Sequence, residues 1–214
     1  WWIHGLLEQF LYTGDEALLC RLYPQVLRVL DAHLDHINED GLIEEMPYWV
    51  MIDWADLDHR GISSPYNAIF YSALERIQRL AEFREDAYTV DLVKALRKPL
   101  KQAFHRTLFD ARLGLYADAM LDGTRSEKVS EQGNMAPIWA GLCDAATAVG
   151  VIDRVFPAGE KGPCTEAQPF FMTVVLAALE RAGRFDLAVE LIRQRWGRRM
   201  VGQGATSAFE EWYQ

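Results

Sequence analysis

The densest chemistry in the sequence lies between residues 44 and 58, where Glu44, Glu45, Asp53, Asp56 and Asp58 alternate with Tyr48, Trp49 and Trp54. This mixture suits a sugar. Flat aromatic faces cover the C–H side of a pyranose, and carboxylates accept hydrogen bonds from the hydroxyls of a ligand that carries no charge. The competing reading has Trp49 and Trp54 plugging the top of a core while the acids are solvated, and composition alone leans that way. A second region, Gly202-Gln203-Gly204-Ala205-Thr206-Ser207-Ala208-Phe209-Glu210-Glu211-Trp212, runs from glycines into an expected helix start. Thr206 or Ser207 could cap that helix, with Glu210 or Glu211 completing a capping box. In the functional reading one of the two acids is a base. Glycoside hydrolysis needs two carboxyl groups, about 5–5.5 Å apart for retention and about 6.5–9.5 Å for inversion, and spacing in sequence does not measure that gap.

Other chemistries find less support. His4, His33, His36, His59 and His105 form no HExxH or matched ligand set, so no metal site is expected, and His33 with His36 reads as a solvated pair. No G-x-S-x-G elbow occurs, and Gly159, Lys161 and Gly162 lack phosphate-loop spacing. Cys20, Cys143 and Cys164 are far apart and imply neither a disulfide framework nor a zinc knuckle. The formal charge of −9 argues against nucleic acid as a partner. No window reaches the ~20 apolar residues of a membrane span. A soluble protein is expected, its compartment open with the cytoplasm ahead of secretion.

The elements that would position these groups are mostly helical. With 214 residues, half of them hydrophobic, the chain can bury one substantial core. Apolar residues recur at helical spacing over 1–12, 15–37, 64–83, 86–108, 132–149, 167–182, 185–199 and 206–214, whereas period-2 strands are scarce. Segment 167–182 is apolar nearly all round, while 185–199 and 86–108 carry a stripe and a charged face. Buried helices therefore alternate with half-exposed ones. Tight turns at Gly14-Asp15, Arg84-Glu85 and Gly183-Arg184 alternate with long loops at 38–63, 109–131 and 200–205. Gly183 is a natural left-handed stop, and Asp15 is placed to cap the next helix. The pattern describes stacked αα-hairpins in an inner and an outer ring, a toroid or an open solenoid. The absence of a fixed repeat of about 33–47 residues weakens the solenoid. About four hairpins are counted, one abbreviated because Val151–Pro157 is too short for a full outer helix. The many Trp and Phe are expected to be mostly core. The chain starts and stops inside helix-like patterns, so it is expected to be a single partial domain, 1–214, cut at both ends.

Several motifs match a family in order: Tyr12-Thr13-Gly14-Asp15, Asp40-Gly41-Leu42-Ile43, Ile52-Asp53-Trp54, Asn67-Ala68, Ser130-Glu131-Gln132-Gly133-Asn134, Arg193-Gln194-Arg195-Trp196-Gly197 and Gly204 through Trp212. Together they resemble the catalytic domain of α-L-rhamnosidases of glycoside hydrolase family 78 over nearly the whole chain. The last is the most specific; in the family it looks like Gly-Ala-Thr-Thr, one residue, Trp, Glu, one residue, Trp, and this chain departs at Ser207 and Phe209. The resemblance implies an all-α (α/α)6 toroid, here an incomplete barrel, and inverting hydrolysis of terminal α-L-rhamnosides without metal or other cofactor. By position Glu210 would be the base, and Glu211 fills a variable slot. Trp54 and Trp2 resemble sugar-contacting tryptophans, and Asp53 would hydrogen-bond sugar hydroxyls. The family's general acid lies upstream of anything matching Trp1, and a supporting histidine lies downstream of Gln214. A chain limited to these residues is expected not to turn over. The alternatives are another glycosidase with the same ring of hairpins, such as a glucoamylase-, trehalase- or fucosidase-like enzyme, and a non-catalytic helical scaffold that binds glycan or protein. Oligomeric state, linkage and aglycone are left open.

Overall fold

A computed structural model of the chain describes residues 1–158 and 162–212. The helices α1 (Trp2–Thr13), α2 (Glu16–Leu34), α3 (Ser64–Phe83), α4 (Ala87–Leu108), α5 (Glu131–Ala140), α6 (Ala145–Val155), α7 (Met172–Arg181) and α8 (Phe185–Ile192) form four αα-hairpins among the described residues. Helices α1, α3, α5 and α7 pack on one another in sequence, and α2, α4, α6 and α8 lie outside them. Burial follows this division. Helix α5 is buried at every position except Trp139, whereas α8 buries only Leu191.

The tight ends of the hairpins are built from local chemistry. Gly14 ends α1 at φ +64° with its N–H on the Phe10 carbonyl, and Asp15 then caps α2 by accepting from Leu18 N at 2.9 Å. Gly183 at φ +71° closes α7, and Asp86 caps α4 through Thr89 N. The segment expected as one helix over 132–149 is two. Gly141 at φ +74° stops α5, and Asp144 starts α6 by accepting from Thr147 N at 2.7 Å. This hairpin therefore has a separate outer helix, although its arms of 10 and 11 residues are half the length of α3 and α4, at 20 and 22.

Other departures lie at the loop end. Helix α7 begins at Met172 rather than at 167, α2 ends at Leu34, and α8 continues as a π-helical stretch over Arg193–Arg198. No helix forms over 206–212, so neither Thr206 nor Ser207 is a cap. Residues 213 and 214 of that expected helix, and Gly159 and Lys161, lie outside the described residues. The long loops also hold short antiparallel strands: β1 (Ile62–Ser63), β4 (Ala119–Leu121) and β5 (Thr124–Arg125) in one sheet, β2 (Phe109–Asp110) and β3 (Leu115–Tyr116) in another. Asp122 and Gly123, both at positive φ, turn β4 into β5, as two-residue hairpins require. The tryptophans are not mostly core. Trp212 is buried, but Trp1, Trp2, Trp49 and Trp54 are exposed.

Two asparagines fasten the long loops to the inner helices by the same device. Asn67 accepts from Ile43 N at 2.8 Å and donates to the Ile43 and Ser63 carbonyls. Asn134 accepts from Tyr116 N at 2.8 Å and donates to the Tyr116 and Ser130 carbonyls. Each amide thus satisfies both backbone groups of one loop residue and the carbonyl one turn back, and both side chains are fully buried. Asn134→Ala should strand two buried backbone groups and cost about 2–4 kcal/mol, seen as a lower midpoint in thermal unfolding followed by circular dichroism. Asn134→Asp should be no better, because it sets a carboxylate against two carbonyl oxygens.

Candidate active site

The long loops gather over the N-terminal ends of α3, α5 and α7, and the first turn of α5 receives them. Ser130 caps α5 through Gly133 N and donates its hydroxyl to Asp118 Oδ1 at 2.6 Å. Gly133 accepts on its carbonyl from Ser64 Oγ, and a Cβ there would sit 2.7 Å from Asp118 Oδ1, so only glycine permits the approach. Asp118 is fully buried, and burial pushes its carboxyl up to about 6 against the hydrogen bond from Ser130. The neighbouring Asp58 behaves oppositely. Its bidentate bond to Arg60 holds it well below the usual carboxylate range.

Glu131 and Gln132 reach two further segments. Glu131 meets Arg195 of the π-helical stretch through two bonds of 2.5 and 2.7 Å and accepts from Ala167 N at 3.0 Å. Arg195 also pairs with Glu166, which pairs with Arg199. Burial pushes the Glu131 carboxyl up while the Arg195 guanidinium pulls it down. Gln132 donates from Nε2 to Asp53 Oδ2 at 2.7 Å, its own Oε1 being buried without a hydrogen-bond partner among the described residues.

Asp53 is the buried acid of the aromatic loop. Its Oδ2 accepts from Gln132 and from Gln168 N, each at 2.7 Å, and among the described residues its Oδ1 accepts only from the following Trp54 N at 3.0 Å. Burial raises its pKa, the three donors opposing the shift. Next to it Trp54 is 45% exposed, and Tyr48 and Trp49 are more so, which removes the reading in which they plug the core. Trp2 is exposed too, and it shares a cavity of about 160 Å³ with Met51 and Ile52, the two residues before Asp53. His33 lines the same cavity, and it is not solvated: it bonds the Val29 carbonyl and Tyr66 Oη and stacks on Phe70.

The last motif is held by its final residue. Trp212 is buried edge-on against Trp196, donates its backbone N–H to Gln168 Oε1 at 2.9 Å and its indole N–H to the Ala167 carbonyl at 2.6 Å. Two residues earlier, Glu210 is exposed and makes no hydrogen bond or ion pair with the described residues. Asp53 and the Glu210 segment therefore meet through Gln168, while Trp54 and Trp2 flank the same loop. A further cavity, of about 730 Å³ and lined in part by Glu131, Glu166, Arg195 and Arg199, contains none of the four. Its charges are paired with one another, as expected of a structural network.

Sequence reasoning singled out neither Gln132 nor Gln168 for a role. Gln132 lies inside a quoted motif and carried a signal as a buried amide in the first turn of a helix. Gln168 carried none beyond preceding Pro169.

Residues 2–214 match the family model described as the bacterial α-L-rhamnosidase six-hairpin glycosidase domain. Among solved structures the chain is similar to a family 78 rhamnosidase of Bacillus sp. GL1, at 29% identity and a TM-score of 0.87, over 98% of this chain and 22% of that one. It shares its fold with a rhamnosidase from Klebsiella oxytoca with rhamnose bound, at 22% identity and a TM-score of 0.82, over 95% of this chain and 38% of that one. No curated protein matches the chain. The stacked hairpins are thus those of an all-α toroid, and the chain belongs to the bacterial α-L-rhamnosidase six-hairpin glycosidase domain family.

Proposed function

We propose that these residues supply the base side of an inverting glycoside hydrolase acting on terminal α-L-rhamnosides. The observation that carries the reading is the Asp53 carboxylate, locked through Oδ2 beside the exposed indole of Trp54 and joined through Gln168 to the segment that bears Glu210. A buried acid with one oxygen fixed and the other lightly engaged, next to an aromatic face, is a sugar-hydroxyl acceptor. The family and the Bacillus relative support rhamnoside as the substrate class.

In this scheme Asp53 orients the ring by accepting from its hydroxyls, and Trp54 and Trp2 cover its C–H face. Glu210, open to solvent, takes a proton from water as the water oxygen bonds to the anomeric carbon. The glycosidic C–O bond breaks on the opposite face, and the leaving oxygen takes a proton from an acid outside these residues. No cofactor enters. The chain, one partial barrel unit in this reading, spans 22% and 38% of the two relatives' lengths, which leaves ample sequence in such proteins for the donor and the other hairpins.

The test is hydrolysis of an aryl α-L-rhamnoside by the full-length protein, with the anomer of the released sugar followed by NMR; release of the opposite anomer first supports the scheme, and retention removes Glu210 as base. Glu210→Gln should lower kcat about 10²–10⁴-fold with little change in sugar affinity, a range typical of lost general-base catalysis. The acid limb of sugar binding should report on Asp53. Because its pKa is raised above the ordinary 3.8, the carboxylate is lost at a higher pH than usual, and affinity should fall as pH drops through that raised value. Titration of rhamnose binding by calorimetry checks this, and Asp53→Asn should weaken binding while flattening that limb.

A further inference from the structure

Two irregular segments, one bearing Asp53 and the other Glu210, have neither helix nor strand to fix their spacing. Both converge on a single residue at the entrance to α7. Gln168 donates its backbone N–H to Asp53 Oδ2 at 2.7 Å, accepts on its side-chain Oε1 from Trp212 N at 2.9 Å, and accepts on its backbone carbonyl from Phe171 N at 3.0 Å. Its three engaged groups thus address three different parts of the chain. The last bond ties it to the first turn of a helix whose Phe171 and Met172 are fully buried, so the residue is anchored on rigid structure. We propose that Gln168 is a positioning residue for the hydrolysis, setting the distance between the sugar-orienting carboxylate of Asp53 and the Glu210 carboxylate through Trp212. The proposal rests on the function given above.

The division of labour between the two glutamines singles out the Gln168 side chain. Asp53 Oδ2 is already held by Gln132, so losing one donor there leaves another. Trp212 has no second acceptor for its backbone N–H among the described residues, and its other anchor, the indole N–H on the Ala167 carbonyl, fixes the ring rather than the backbone next to Glu210. A misplacement of about 1 Å in a reacting group costs on the order of 10²-fold in rate, while sugar binding through Asp53 and the indoles would change little. The signature of positioning is therefore a fall in kcat without a matching change in KM.

The experiment compares Gln168→Met, which keeps the length and removes the acceptor, with Gln168→Glu, which keeps an acceptor, in the full-length protein. Gln168→Met should lower kcat on an aryl α-L-rhamnoside about 10–100-fold with KM within about threefold. In hydrogen–deuterium exchange read by mass spectrometry, its peptide containing Trp212 should exchange about tenfold faster. Gln168→Glu should restore both. Unchanged kcat in a folded Gln168→Met protein, or equal losses in the Met and Glu variants, overturns the proposal. If the unsubstituted protein cleaves no rhamnoside, the function reading falls separately, and exchange decides the coupling alone. Asp53→Ala should speed exchange at Trp212 when Gln168 is present and add nothing in the Gln168→Met background; additive effects overturn the link.

Discussion

The loop end of this domain depends on one constraint: the backbone and side chains of a single helical turn, Ser130 to Asn134, must satisfy buried polar groups from five other segments at once. Ser130 takes Asp118, Glu131 takes Arg195 and Ala167, Gln132 takes Asp53, Gly133 takes Ser64, and Asn134 takes Tyr116. An unpaired buried donor or acceptor costs about 1–3 kcal/mol, so each contact excludes alternative loop placements more strongly than it stabilises its own. A helix N-terminus suits the task because its first turn leaves N–H groups without intrahelical partners and accommodates short polar side chains. The result is a rigid hub from which irregular loops borrow their geometry.

Much of the scaffold was legible in the sequence, and the reasons are local. Alternating all-round and one-sided apolar segments gave inner and outer helices, and Gly14-Asp15 and Gly183 gave two turns, because helix periodicity and caps are read within a few residues. The division at Gly141 and Asp144 was equally local and was passed over; a left-handed stop three residues before an Asp cap is the same signal as at Gly14-Asp15. Asp122-Gly123 between Leu121 and Thr124 was likewise a readable hairpin. Residues 204–212 misled for a different reason. Their Thr-Ser-x-x-Glu spacing fits a capping box, but the backbone is held in an open course by Trp212 on Ala167 and Gln168, more than forty residues away in sequence. No window reading contains such a bond.

The candidate site divides along the same line. Asp53 and Trp54 were candidates from the sequence because carboxylates and indoles advertise their chemistry by type. The fixing of one Asp53 oxygen by Gln132 and Gln168, on which its proposed role rests, comes from two distant segments and is visible only in three dimensions. Asp118 and Glu131, the most deeply buried acids, belong to the framework: each is surrounded by donors from the protein itself. The exposed Glu210 and the sealed Glu131, paired with Arg195, mark the two extremes, with Asp53 buried between them.

The π-helical stretch over Arg193–Arg198 has a bearing on how this domain tolerates length changes. A π turn accommodates one residue more than an α turn does, so the stretch holds an extra residue within the helix. Removing one residue there would regularise the helix and look harmless on any propensity scale. It would also re-phase the residues inside the stretch by up to one helical step, about 100°, while the helix beyond it keeps its course. The guanidinium of Arg195 and the indole of Trp196, both inside the stretch, would then face the wrong walls. Natural variants of this domain should therefore accept gaps in the exposed tips of their loops far more readily than at this inconspicuous bulge.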